Sequence, residues 1–424
     1  MANRGQEHLL RHGVLLMAAT QVANVSNLLF QVVMGRTLSA EQYGELASML
    51  GIILVLATPM DAVRTAVAHF ASRLLGEGRT GEIRVLVGRG FRMMTWAAAP
   101  VLLVSLLLGD VLARWFHLDS GLPVRLTGLI VAGSFYMPVF IGSLQGVQSF
   151  GWMACTQHSW SVVRLVAGGA LVWSVAPLAT WGLAGHLAGV LSSIVWGAIG
   201  LRVLPSRERS DAGTAPIADV FRYFVFSLLI LGGFAVLMNA DIIMVKHLFS
   251  PLEAGLFARG ATIGRSVVFV SVPIAMAMFP KVTSAGEVAA GTRGTLVRAF
   301  VFSGLIVLLA VGAVTLWPAL PLRILFRVAE PDLQMIGLVR ALTWAMAPLG
   351  LVYLAVHFEL AQHRFRSVLP LLVCATAYAA AVALRHERVE QVAQALAACS
   401  WLALAWLLVG LPWRAKDLPS GGAS

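Results

Sequence analysis

Residues 239–282 read NADIIMVKHLFSPLEAGLFARGATIGRSVVFVSVPIAMAMFPKV. Two apolar runs, 221–245 and 254–279, flank a polar turn between Lys246 and Glu253. Each run is long enough for a membrane-crossing helix, which needs about 20 residues. Yet the runs carry Asp241, Arg259 and Arg265. A charge at the bilayer centre costs roughly 2.5–3.5 kcal/mol on insertion scales, and is normally tolerated only against the protein interior or a wet cavity. The stretch therefore predicts two packed membrane helices whose charges are functional candidates.

The rest of the chain agrees with that reading. It has 424 residues, 58% hydrophobic and 12% charged, with a mean hydropathy of +0.82. Soluble domains carry about 25% charged residues, so an ordinary cytosolic enzyme is excluded. Disorder needs low hydrophobicity and is excluded too. Long unbroken apolar runs also argue against a β-barrel, whose strands alternate. Apolar runs predict twelve spans: 13–34, 46–72, 91–109, 123–145, 154–176, 181–201, 221–245, 254–279, 296–317, 336–358, 367–384 and 391–412. The fold class expected is an all-α polytopic membrane protein.

With the N-terminus cytoplasmic, eighteen Lys and Arg fall in inside segments and eight in outside segments. The positive-inside rule then places both termini in the cytoplasm, and it accounts for most of the net charge of +11. No dense basic run or nucleic-acid motif is present, so nucleic acid is not an expected partner. Cys155, Cys374 and Cys399 lie in apolar stretches without metal spacing and read as small buried residues. The first run ends without a small-residue cleavage pattern and reads as a retained helix.

The longest polar connection, RVLPSRERSDAGTAPIAD from Arg202 to Asp219, sits near the midpoint. It predicts an N-terminal six-helix lobe over 1–205, a cytoplasmic linker over 206–219, and a C-terminal six-helix lobe over 220–424. The two halves resemble each other. MGRTLSAEQYGELA (Met34–Ala47) aligns without gaps on VKHLFSPLEAGLFA (Val245–Ala258), matching Ser39 to Ser250, Gly44 to Gly255 and Ala47 to Ala258 at an offset of 211. VRLTG at Val124 has its echo in VRALT at Val339. Equal orientation of two six-span halves implies a parallel repeat with a pseudo-two-fold axis along the membrane normal. Ser39, Glu41, Ser250 and Glu253 read as helix capping.

Inside the spans stand five arginines (Arg64, Arg164, Arg259, Arg265, Arg340) and two acids (Asp61, Asp241). Asp61 and Arg64 follow Pro59 at i, i+3 and share one helix face. Arg64 is nine residues from Arg73, about 13 Å of depth. It faces a cavity, or forms a static pair that locks the Pro59 kink. Asp241 has Lys246 or a span-eight arginine as possible partners. Arg340 is near the outer surface, where snorkelling suffices. An excess of cations favours an anionic ligand, because arginine binds phosphate bidentately and keeps its charge when buried. Asn24, Asn27 and Gln31 form one stripe of the first span, lining a cavity or bonding across helices. Gln145 and Gln148 mark the exit of span four, with a tight turn at Gly146 and Gly151. GHLAG (185–189) is a small-xxx-small packing pattern; His186 within it is a core histidine or a proton carrier. No P-loop, GxSxG, HExxH or CxxC is present, so neither an enzyme nor a metal or cofactor site is expected.

Three segments carry a family resemblance: NLLFQVVMGRTLSAEQYGELASML, GSLQGVQSFGWMA and the 239–282 stretch. They are similar to the first hairpin, the span-four exit and the span seven–eight region of Wzx-type oligosaccharide flippases. These polysaccharide biosynthesis proteins belong to the MATE-like multidrug/oligosaccharidyl-lipid/polysaccharide exporter superfamily. The resemblance implies alternating access around a cationic cavity between two lobes. It implies a substrate of undecaprenyl-diphosphate-linked oligosaccharide, moved across the bacterial inner membrane. Related flippases hold diphosphate with arginines on the second and eighth helices, which here are Arg64 and either Arg259 or Arg265. The expected substrate residues are thus Arg64, Arg164, Arg259, Arg265, Asn24, Asn27 and Gln31. Asp61 and Asp241 are candidates for coupling to H+ or Na+. Membrane lipids, a polysaccharide polymerase and other assembly proteins are the expected partners. The rival readings are a cation-coupled multidrug exporter of the same superfamily and a non-transporting scaffold of a glycan-assembly complex.

Overall fold

A computed structural model describes residues 2–204, 217–275, 289–362 and 364–410, with side chains described from Leu15 onward except at 217–224, 289–293, 295 and 361. Most of the expected linker, the end of the eighth span (276–279) and the last two residues of the twelfth (411–412) lie outside the described residues. The chain divides into two compact units, Met1–Phe224 and Val225–Ser424.

In the first unit, α1 (Ala2–Thr37) leads into α2 (Ala40–Ala57), a 3-10 turn (Thr58–Met60) and α3 (Asp61–Gly76). Then follow α4 (Thr80–Leu107), the short α5 (Gly109–Trp115), α6 (Leu122–Ser134), α7 (Met137–Gly146), α8 (Phe150–Ser174) and α9 (Ala179–Gly200). In the second, α10 (Ile217–Leu248) and α11 (Pro251–Phe269) form a hairpin. After it come α12 (Ala289–Leu316), the short α13 (Ala319–Phe326), α14 (Leu333–Ala361), α15 (Val368–Leu384) and α16 (Val389–Gly410).

Ten stretches of the described residues are long and apolar enough to cross a membrane. The chain is a multi-pass membrane protein. The fifth and eleventh expected spans fall on α8 and α15. The polar residues Gln157, His158, Ser159 and Arg164 dilute α8, and α15 has only 17 residues, about 25 Å of rise. Pro59 breaks span two into α2 and α3 through the 3-10 turn. Span four, expected as one run, is broken at Phe135–Tyr136 into α6 and α7, with Pro138 near the start of α7. At the span-four exit the left-handed residue is Gln148 (φ 58°), not either glycine. Cys155 corrects the expectation of burial: it is exposed and lines an open groove with Leu15, Val22 and Trp196.

The repeat is visible in helix ends. α1 and α10 end at Thr37 and Leu248; α2 and α11 begin at Ala40 and Pro251. α6 and α14 begin at Leu122 and Leu333, and α5 and α13 end at Trp115 and Phe326. Every pair is 211 residues apart. Ser39 accepts from the Gln42 amide. Ser250 and Glu253 make a full capping box.

Within the first unit α8 packs on α1 and α9, α3 on α7, and α4 on α6; in the second, α14 packs on α11, α12 and α16. Small residues set the closest approaches. A Cβ on Gly185 would collide with the Gly168 Cα, and one on Gly189 with the Trp160 carbonyl. A Cβ on Gly146 would meet Ala71 at 2.5 Å, and one on Gly142 the Arg64 carbonyl at 2.6 Å. The first pair clamps α8 to α9; the second clamps α7 to α3.

Candidate functional site

The α3–α7 clamp builds the first charged cluster. Arg64 Nε donates to Asp61 Oδ1 at 2.9 Å, and Nη1 donates to Gln145 Oε1 at 3.3 Å. Asp61 opens α3, so its carboxylate also meets the positive end of that helix dipole. The side chains are 31% (Arg64) and 59% (Asp61) exposed. These two lie about 12 and 15 residues before the end of α3, or about 18–22 Å along the helix. Exposure to hydrocarbon at that depth is expensive for a charge, so this face meets water or a polar ligand.

The α8–α9 clamp builds the second. Arg164 is 5% exposed. Its Nη2 donates to Asn27 Oδ1 at 2.8 Å. Its guanidinium carbon lies 4.1 Å from the Phe30 ring centroid and 4.8 Å from that of Trp160. His186 stacks on Trp160 at 5.4 Å. No carboxylate pairs with Arg164 among the described residues, and its Nε has no hydrogen-bond partner there.

The third cluster lies in the second unit. Arg265 forms an ion pair with Asp241 through Nη2 and Oδ1, and its Nε donates to the Met238 carbonyl at 2.7 Å. Asp241 is fully buried, and Oδ2 has no hydrogen-bond partner among the described residues. The buried Tyr378 on α15 is within electrostatic reach of this pair.

These two buried sites correspond. Asn27 and Met238 are 211 residues apart, and so are Phe30 and Asp241. The same two positions of the repeated first helix receive a guanidinium in each unit. In the first unit it comes from α8; in the second it comes from α11.

The other expected site residues are dispersed. Arg259 places its guanidinium carbon 5.5 Å from the Phe326 ring centroid. Gln31 accepts from the Tyr43 hydroxyl at 2.9 Å, so with Asn27 it bonds across helices. Asn24 is exposed. Arg340, expected to snorkel at the outer surface and not to join the site, is exposed and donates to the Thr315 carbonyl.

Sequence reasoning missed Phe30 and Trp160 as walls of the Arg164 site, and Tyr378 beside Asp241. It also undercounted buried acids. Glu45 and Glu359 are buried, as is Lys246. Glu45 stands one residue before expected span two and Glu359 one residue after expected span ten, because helices extend past the apolar runs that reveal them. Glu359 accepts from the Ser367 amide at 2.7 Å. Among the described residues the buried charges balance, with Arg164, Lys246 and Arg265 against Glu45, Asp241 and Glu359.

No family model matches this sequence, and no curated protein matches it. Solved structures share its fold. One is the inward-facing conformation of a multidrug resistance MATE family transporter of the MOP superfamily. It has a TM-score of 0.72 at 13% identity, covering 94% of this chain and 97% of that one. Another is the lipid II flippase MurJ in an inward closed conformation, with a TM-score of 0.69 at 12% identity, covering 94% and 87%. A third is the MATE multidrug transporter DinF-BH, with a TM-score of 0.68 at 16% identity, covering 95% and 94%. The chain has a MATE-like fold.

Proposed function

We propose that the chain is a transporter that flips an anionic lipid-linked substrate, and specifically undecaprenyl-diphosphate-linked oligosaccharide, across the bacterial inner membrane. Both termini would then lie in the cytoplasm. The observation that carries this reading is the Asp61–Arg64–Gln145 cluster, which exposes a guanidinium deep along a broken span. Such a group suits a diphosphate, since arginine offers a planar fork of donors that matches phosphate geometry. In the proposal Arg64 is the diphosphate contact of the first unit, and Arg259 is a substrate-binding residue of the second. Asn24 supplies a polar group for the glycan, while Asn27 and Gln31 brace the first helix. Arg164 and Arg265, both buried, are proposed to support the helices that carry the site rather than to touch the substrate. Asp61 and Asp241 are the proposed sites of coupling to H+ or Na+. A polysaccharide polymerase and other assembly proteins are proposed partners.

A second reading, the cation-coupled multidrug exporter, is favoured by one observation. Asp61 is more exposed than Arg64 and could receive an organic cation. Proteoliposomes separate the two. We expect Arg64→Gln to slow the flipping of an undecaprenyl-diphosphate saccharide at least tenfold while thermal stability stays unchanged. Unaltered flipping by Arg64→Gln, with efflux of a lipophilic cation lost in Asp61→Asn, would replace the flippase reading by the exporter.

A further inference from the structure

The first unit carries an open groove of about 840 Å³ outside its charged clusters. α1 lines it with Leu15, Ala19 and Val22, α8 with Cys155 and Val162, and α9 with Trp196. Leu15, Ala19 and Val22 recur at i, i+4 and i+7 and share one face of α1; Asn24, nine residues past Leu15, stands on the opposite face. Leu15, Val22 and Val162 are exposed and form an apolar rim. The polar side chains deep in the groove are engaged within the protein. His158 Nε2 lies 3.3 Å from Thr20 Oγ1. The Ser159 hydroxyl meets those of Ser192 and Ser193, each at 3.3 Å. Such a surface favours a hydrocarbon chain over a hydrated solute.

The groove has a membrane-like polarity along its length. From Ser149 to Val162 its α8 wall rises thirteen residues, about 20 Å. One leaflet of hydrocarbon is about 15 Å deep. Phe150, Trp152 and Trp196 stand at one end, with the two indoles 6.0 Å apart. Aromatic residues mark the headgroup level, so the groove starts there and runs down one leaflet. Gln148 lies at the same end. Three residues before it, Gln145 accepts from Arg64 Nη1 at 3.3 Å. The turn between α7 and α8 thus joins the groove mouth to the exposed guanidinium.

We infer that this groove holds the polyisoprenoid chain of the transported lipid, which leaves the diphosphate at Arg64 and lies along Cys155 and Val162. The inference deepens the flippase reading and rests on it. A diphosphate held at Arg64 leaves one chain to house, and the groove is a single track bounded by α1 on one side and α9 on the other. The glycan goes the other way, because Asn24 faces away from the groove.

The test is binding of undecaprenyl diphosphate to the purified full-length protein in detergent, read by native mass spectrometry. Ala19→Trp and Val162→Trp fill the groove with bulk of its own polarity. Each is expected to weaken binding about tenfold, the effect of displacing two methylenes, with the unfolding midpoint unchanged. Arg64→Gln is expected to weaken it as well, and equimolar dioleoylphosphatidylglycerol to displace little. Should the filled variants not fold, the wild type answers alone. Undecaprenyl diphosphate with a diazirine in its chain is expected to crosslink to residues 15–22 of α1 and 152–162 of α8. Binding that depends on Arg64 but ignores both tryptophans, full displacement by phosphatidylglycerol, or crosslinks found only elsewhere would overturn the groove assignment and leave the flippase reading standing. A wild type that binds no undecaprenyl diphosphate would remove the flippase reading and the groove assignment together.

Discussion

Phe30 and Asp241 occupy the same place in two copies of one hairpin, and each faces an arginine. The hairpins share helix ends at a constant spacing and a serine cap at the same position. They differ in what neutralises the guanidinium. The second unit keeps a carboxylate; the first surrounds the charge with rings and an amide. The two repeats therefore both place a cation against the same position of their first helix, but from different helices and with different partners. That pattern fits a cation needed for its charge, because packing alone would be met by an apolar side chain.

The comparison can be broken by single substitutions. Asp241→Ala leaves Arg265 buried and unpaired, which is expected to cost about 3–5 kcal/mol. Yield of monodisperse protein should collapse, and the double variant Asp241→Ala/Arg265→Met should restore it. Arg164→Met should be milder, because no carboxylate is stranded and only the Asn27 oxygen loses a donor, at about 1–3 kcal/mol. Equal losses for Asp241→Ala and Arg164→Met would show that the two sites are not different in kind.

The caps sharpen the comparison at a smaller scale. Ser250→Ala removes a reciprocal capping box with Glu253, and about 1 kcal/mol is expected from that loss. Ser39→Ala removes a single long bond from the Gln42 amide at 3.3 Å and should cost less. Chemical denaturation of both variants checks the order.

The smallest effect lies between α3 and α4. Arg73 and Arg79 hydrogen-bond Glu77 and hold its carboxyl below the ordinary value. A carboxyl with a depressed folded-state value stabilises the fold above its unfolded value, and that contribution is lost as pH falls through the folded one. Unfolding midpoints of the wild type and Glu77→Gln should therefore differ slightly at neutral pH and converge below about pH 4. The group is exposed, so salt should shrink the difference.

Much of the fold is written in apolar runs. The hairpin around Ser39 and its echo around Ser250 show the repeat directly, and the i, i+3 spacing of Asp61 and Arg64 foretells their pair. The breaks are partly legible: Pro59 marks one, and Pro138 stands just after the interruption of span four at Phe135–Tyr136, although the hydropathy of that run continues on both sides. Phe30 and Trp160 carry no signal at all, because an aromatic residue facing lipid and one facing a guanidinium look alike in sequence. Asp241 and Arg265 are 24 residues apart on different helices, so the sequence suggests a pair without selecting the arginine. Glu45 and Glu359 escaped notice because burial continues past the point where hydropathy falls.

Mass spectrometry of lipid extracts from cells lacking this protein tests the central claim most directly. The account predicts accumulation of undecaprenyl-diphosphate-linked glycan together with loss of the corresponding surface polymer. Unchanged lipid intermediates, alongside raised sensitivity to cationic drugs, would contradict it.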